Sequence, residues 1–171
     1  ARLPKAALKS GKTQAQRLSG LLDLTTTGDR MAIKLSAAAD AFTTPAARGQ
    51  GAVLTLTGDL PYPDLKTRRG DGRAVLDARM TGARLGTPTL SARSADVAAR
   101  FDGVVSGWIE TFRLDGEVTT ALKAAAVEGA DLRIADVAAT ATRGKLTVSR
   151  DDAVRWRMQG PRALTARSGR T

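Results

Sequence analysis

The chain has no cysteine, no histidine and no asparagine among its 171 residues. Without cysteine and histidine, disulfides, zinc fingers, thiol nucleophiles and histidine-based triads are all excluded. Aromatic residues make up only 4% of the chain. A conventional β-sandwich fills its interior with bulky side chains at close-packed density, and this sequence supplies few of them. No apolar run approaches the roughly 20 residues that a bilayer-spanning helix needs. Ala1–Lys12 carries basic residues but lacks the apolar stretch of a signal peptide. The chain starts on Ala1 and trails off in polar residues from Ala166 to Thr171, which reads as a piece of a longer protein.

What is abundant is small or basic. Alanine, threonine and glycine dominate the uncharged positions, and the formal net charge is +10. The excess is carried by arginine, spread along the chain rather than gathered in a block. A GC-rich coding sequence produces that spread; attraction to phospholipid headgroups or nucleic acid is the sharper reading.

The organising signal is alternation with a period of two. Phe112, Leu114, Gly116, Val118 and Leu122 share one parity, and Arg113, Asp115, Glu117 and Thr119 the other. Successive side chains of a strand point to opposite faces, so the pattern predicts one apolar and one solvated face. Ala74, Leu76, Ala78 and Met80 oppose Val75, Asp77, Arg79 and Thr81 in the same way. So do Val97, Ala99 and Phe101 against Asp96, Arg100 and Asp102, and Val154, Trp156 and Met158 against Arg155, Arg157 and Gln159.

Turn signals divide the rest. Gly28-Asp29 separates Leu22 and Leu24 from Met31, Ile33 and Leu35 as a hairpin. Pro45, Gly49, Gly51 and Gly58 punctuate the next stretch, and Pro61 and Pro63 forbid a central strand between them. Ser94 separates Thr89–Arg93 from Asp96–Asp102. Asp131–Ala135, Val137–Thr142, Lys145–Ser149 and Ala153–Gln159 complete the candidates, while Lys123–Val127 fits either a strand or a helical turn. Gly82-Ala83-Arg84-Leu85 weakly echoes Gly129-Ala130-Asp131-Leu132. The expectation is an all-β chain of about ten strands of 5 to 10 residues. They form an extended antiparallel meander, a curved sheet or groove with one apolar face, because the helical crossovers of parallel pairing are missing. Residues 1–18 read as a helical or disordered lead-in, 19–160 as the sheet and 161–171 as a tail.

Three motifs have spellings that bear on chemistry. Ala6–Thr13 spells a relaxed phosphate loop with Ala6 in place of its first glycine, but no strand precedes it and no βα alternation follows. Asp151-Asp152 is the one adjacent acidic pair; at a turn it lacks the burial that would push two carboxyl pKa values apart. Arg68-Arg69 with Gly70-Asp71-Gly72 is a basic loop suited to phosphate or simply to water. Trp108 follows Gly107 at a turn, where it could cap an open end. No constellation supports catalysis, and no enzyme activity, cofactor or metal is expected.

Leu54–Tyr62 and Gly72–Leu85, with their Ala-, Gly-, Thr- and Arg-rich alternating wording, resemble the AsmA-like envelope proteins of Gram-negative bacteria, in particular the YdbH and TamB branch. The likeness extends over Leu54–Met158. It implies a long antiparallel sheet with a hydrophobic groove, lying in the periplasm, attached to the inner membrane through a segment not present here, and conducting phospholipids between inner and outer membranes. On that reading Leu76, Met80, Val97, Phe101, Phe112, Leu114, Val118, Trp156 and Met158 face the acyl chains. The competing readings are a structural or assembly module for outer-membrane protein biogenesis, acting by strand addition, and a basic nucleic-acid-binding β domain. Nucleic acid is not the expected partner, because Trp156 lies opposite Arg155 and Arg157 rather than among them. A transmembrane barrel ranks last, since the polar faces are charged and aromatic girdles are missing.

Overall fold

The architecture is that of a computed structural model, which describes residues 2–10, 12–64, 66–67, 69–108, 111–150 and 154–169. Ten strands follow in order: β1 (Arg2–Ser10), β2 (Thr13–Thr27), β3 (Arg30–Thr43), β4 (Arg48–Pro61), β5 (Gly72–Gly86), β6 (Ser91–Trp108), β7 (Thr111–Glu128), β8 (Arg133–Arg150), β9 (Val154–Gln159) and β10 (Ala163–Arg167). All pairings are antiparallel, and β1 to β8 form one unbroken meander. The edge of β8 is shared: β9 pairs with Lys145–Arg150 and β10 with Ala138–Thr142. The sheet is open, and no helix occurs among the described residues.

Two expectations are corrected at the ends. Arg2–Ser10 is a strand whose register runs from Arg2↔Leu21 to Ser10↔Thr13, not a helical or disordered lead-in. An isolated helix this short is marginal in water, whereas the edge of β2 offers a row of backbone partners. Ala163–Arg167, expected as tail, is a strand for the same reason. The phosphate-loop spelling therefore lies in a β-hairpin, without the helix that would aim amides at a phosphate.

The strands are also longer than the punctuation suggests, with β6, β7 and β8 at 18 residues each. Three expected breaks, at Ser94, Asp136 and beside Arg143, are single residues with positive φ (47°, 48° and 57°) inside continuous strands. Lys123–Val127 continues β7. The Gly82–Leu85 echo joins unlike places, since Gly82–Leu85 is strand and Gly129–Leu132 a turn.

A true repeat lies elsewhere. The turns at Thr44–Ala47, Thr87–Leu90 and Gly129–Leu132 are each closed by a backbone bond, 2.7–2.8 Å, from the amide of the first residue to the carbonyl of the last. Thr44 Oγ1 and Thr87 Oγ1 also accept backbone amides at 2.8 and 3.1 Å. Seven residues beyond each turn's first residue stands a left-handed residue: Gly51, Ser94 and Asp136. Arg17 stands seven residues after Ser10, where the first hairpin turns.

The register aligns these four residues with the positions between them that make no ladder pair, Asp40, Ala83 and Ala125. Arg17, Asp40, Gly51, Ala83, Ser94, Ala125 and Asp136 thus form one crease across seven strands, and every one of them is exposed. Pairing resumes beyond the crease with no net shift, but the faces exchange parity. Phe42 follows Ala39 on the apolar side, and Leu85 follows Gly82, three residues on instead of two. The Leu85 side chain lies over Gly82, where an added Cβ would come within 2.7 Å of it. Buried Ala52, Leu85 and Ala95, packed with Phe42, Met80, Ala92 and Val97, form the core cluster astride the crease.

The molecule is a single layer. Its accessible surface is 11,688 Å² for 17.9 kDa, where a compact monomer of that mass exposes about 8,000 Å². Among the described residues only eight hydrophobic side chains are buried, five of them alanines.

Candidate functional site

Residues directly opposite in a ladder share a face, so the register settles which side chains stand together. One row runs Leu24, Ile33, Gly58, Leu76, Phe101, Val118, Gly144. The next runs Leu22, Leu35, Leu56, Ala78, Ala99, Thr120, Ala141 and ends on Leu164 of β10. A third runs Leu54, Met80, Val97, Leu122, Ala139. Across β5 to β8, the small residues of the second row lie between bulkier first and third rows, which are about 13 Å apart. The result is a shallow furrow at right angles to the strands.

All nine residues expected on the apolar side stand on this face. Leu76, Phe101 and Val118 are consecutive in the first row, and Met80 and Val97 in the third. Leu114 pairs across Val148 to Trp156, and Met158 pairs with Leu146. Phe112 lies opposite Gly107 at the end of β6. Burial divides them: Phe101 and Val118 are buried, Trp156 and Met158 are exposed on edge strand β9, and the other five are half-buried.

Phe101 is buried without a second layer because its ring lies down on two glycines. A Cβ added at Gly103 would stand 2.7 Å from Phe101 Cζ, and one at Gly116 2.8 Å from Phe101 Cε2. These glycines oppose each other in the ladder, and the Gly116 Cβ would also meet Gly103 Cα at 2.6 Å. Leu76 covers Gly58 and Val118 approaches Gly144 in the same fashion. Large side chains therefore flatten onto neighbouring glycines and leave a low apolar surface.

At the end of this face away from the crease, a cavity of about 320 Å³ is lined by residues of β3 to β8, among them Met31, Leu60, Leu76, Val105, Phe112 and Leu114. Pro61, Pro63 and Gly70 of the β4–β5 connection wall it on one side. The connection is held by Gly70 N donating to Gly107 O (2.9 Å) and by Gly107 N donating to Asp71 Oδ1 (2.7 Å). The sequence reading missed Met31, Leu60 and Val105 as lining residues, although each falls on the apolar parity of its strand. Arg69, from the basic loop expected to meet phosphate or water, pairs with Asp71 at 3.2 Å. Arg68 and Asp151-Asp152 lie outside the described residues.

The opposite face is laced by ion pairs. Arg73 grips Asp102 through two bonds (3.1 and 2.7 Å) and Arg79 grips Asp96 likewise (2.8 and 2.6 Å). Arg100 meets Asp77 at 2.8 Å and Arg30 meets Asp59 at 2.9 Å. Side-chain bonds from Arg79 and Arg73 hold the Asp96 and Asp102 carboxyls below the ordinary carboxylate range. These pairs sit in water and are worth little individually, but from β2 to β7 the charges nearly balance, with 14 Lys and Arg against 13 Asp and Glu over residues 13–128.

Beyond β7 nine Lys and Arg stand against four acids, Asp131, Asp136, Asp151 and Asp152, and all four precede Ala153. From Ala153 to Thr171 the sequence holds five arginines and no acid. Arginine is evenly spread along the chain, as the sequence reading had it; the carboxylates are not. Among the described residues no group of His, Cys, Asp and Glu could hold a metal, and no helix is long and apolar enough to cross a membrane. Comparison with known proteins brings no match to this chain from family models, curated proteins or solved structures.

Proposed function

We propose that the apolar face holds phospholipid acyl chains as a section of a hydrophobic β-groove passing lipid between inner and outer membranes. In this reading the chain works in the periplasm, with membrane contacts made by parts of the protein outside it. The carrying observation is the single-layer sheet with one continuous apolar face, from Leu22 and Leu24 of β2 to Trp156 and Met158 of β9. Domains normally bury such a face against a second layer. The furrow of Ala78, Ala99, Thr120 and Ala141 is low enough for a flexible hydrocarbon chain to lie in and slide along. Burying half the surface of a chain of about sixteen carbons gains on the order of 6 kcal/mol. That is enough to retain lipid with no specific pocket and little enough to release it.

Mass spectrometry of lipid co-purified gently from cells tests this, with Leu54→Glu/Leu114→Glu as comparison. Phospholipid on the parent and none on a still-folded variant is expected. A folded parent free of lipid would overturn the proposal and leave the face to another protein surface.

A further inference from the structure

We infer that the polar face at the β7–β8–β9 corner is a binding site for a phosphate group, independent of the apolar face behind it. A cavity of about 490 Å³ opens there, lined by Arg113, Thr147, Ser149, Arg155, Trp156 and Arg157. The register sets Arg113, Ser149 and Arg155 in one row across the three strands, and Asp115, Thr147 and Arg157 in the next. Strands two apart are about 9.5 Å apart, so the long side chains of Arg113 and Arg155 can close from both sides on an anion seated over the Ser149 hydroxyl. Arg157 reaches the same anion from beside Thr147.

Charge separates this corner from the rest of the polar face. Arg30, Arg73, Arg79 and Arg100 are each matched to their own aspartate. Here Asp115 already accepts from Arg113 at 3.0 Å and is approached by Lys145 at 4.0 Å. Its single negative charge is already outnumbered by those two cations, and the guanidinium groups of Arg155 and Arg157 make no ion pair with any described carboxylate. Guanidinium forks matched with hydroxyl donors are the chemistry of phosphate recognition, and a fork binds the planar pair of phosphate oxygens better than an ammonium does. The charges shield an edge strand from sheet-to-sheet pairing, but that role requires neither the two hydroxyls between the guanidinium groups nor the concavity.

Two sources present this group, free phosphate and a phospholipid head. Calorimetric titration with inorganic phosphate at low salt measures the first; co-sedimentation with phosphatidylglycerol vesicles, with and without competing phosphate, measures the second. The parent is expected to bind in at least one arm. Phosphate uptake without vesicle binding assigns the free ion, and vesicle binding displaced by phosphate assigns the lipid head. Arg155→Gln/Arg157→Gln is expected to weaken binding at least tenfold, and Arg155→Lys/Arg157→Lys to weaken it by an intermediate factor. The charge-matched Arg162→Gln/Arg167→Gln should change it less than twofold, with far-UV circular dichroism showing each variant folded. No binding in either arm would overturn the site, as would equal weakening by the two glutamine doubles or single-stranded DNA binding that both reduce alike. Leu54→Glu/Leu114→Glu lies on the other face and should leave phosphate binding unchanged, so the two proposals fail separately.

Discussion

Replacing Phe101 with alanine probes the single-layer architecture directly. The ring is 5% exposed, yet what covers it is its own sheet: the Gly103–Gly116 pair beneath and neighbouring side chains beside it. Truncation returns roughly 150 Å² of apolar surface to water, worth about 4 kcal/mol at 25 cal/mol per Å². A realistic unfolded chain already hides part of that surface, which brings the loss to about 3 kcal/mol. No closed void forms, because the space left by the ring opens directly to solvent, so the extra cavity cost of a packed core is not incurred. Equilibrium urea unfolding followed by far-UV circular dichroism measures the difference. Val104→Ala, more than half exposed on the other face, serves as control and should stay within about 0.5 kcal/mol. A loss under about 1 kcal/mol would refute the ring-on-glycine packing. A loss above about 5 kcal/mol, beyond the usual range for a fully enclosed Phe, would show a second layer over the ring.

Gly51→Ala tests the crease: the added methyl has room, with its nearest neighbour at 3.6 Å, but φ is +57°. Left-handed backbone costs an L residue about 1–2 kcal/mol, part of which the stiffer unfolded chain returns, so a net loss of about 1 kcal/mol in urea unfolding is expected. Ser94→Gly, at φ 47°, should be neutral or stabilising in the same assay. Acid titration tests the ion pairs. Asp96 and Asp102 have folded pKa values depressed by Arg79 and Arg73, so their contribution is complete above the unfolded carboxylate value near pH 4 and disappears as pH falls through the lower folded values. Asp96→Asn/Asp102→Asn should therefore flatten the stability profile below about pH 4, as read by thermal melts across pH.

Sequence made the all-β meander and the common face of the nine apolar residues legible where alternation runs unbroken. Phe112–Leu122 is the clearest stretch, with Ala74–Met80 and Val97–Phe101 beside it, because strand periodicity is a local property of the chain. Strand length was not legible. Ser94 and Asp136 break the alternation as a turn would, and only the pairing partners across the ladder show that the strand continues through them. The strand in Arg2–Ser10 was hidden because Ala and Lys suit helices in isolation, while what decides that segment is an open edge supplied by β2. The furrow and the arginine corner depend on register between strands distant in sequence, such as Arg113 with Ser149 and Arg155, and no local pattern carries that.

The left-handed residue of the crease recurs on alternate strands, once per hairpin and always at the same distance from the turn. A sheet built this way has a natural unit of growth. Inserting or deleting a whole hairpin brings a left-handed strand beside an unkinked one at every junction, so the fold line, the furrow and the polarity of both faces run on without interruption. A single added strand would set two strands with a left-handed residue, or two without one, side by side, and the alternation of left-handed and ordinary backbone along the crease would be broken. Length in such a protein is free to vary in steps of two strands, and the width of surface it offers varies with it.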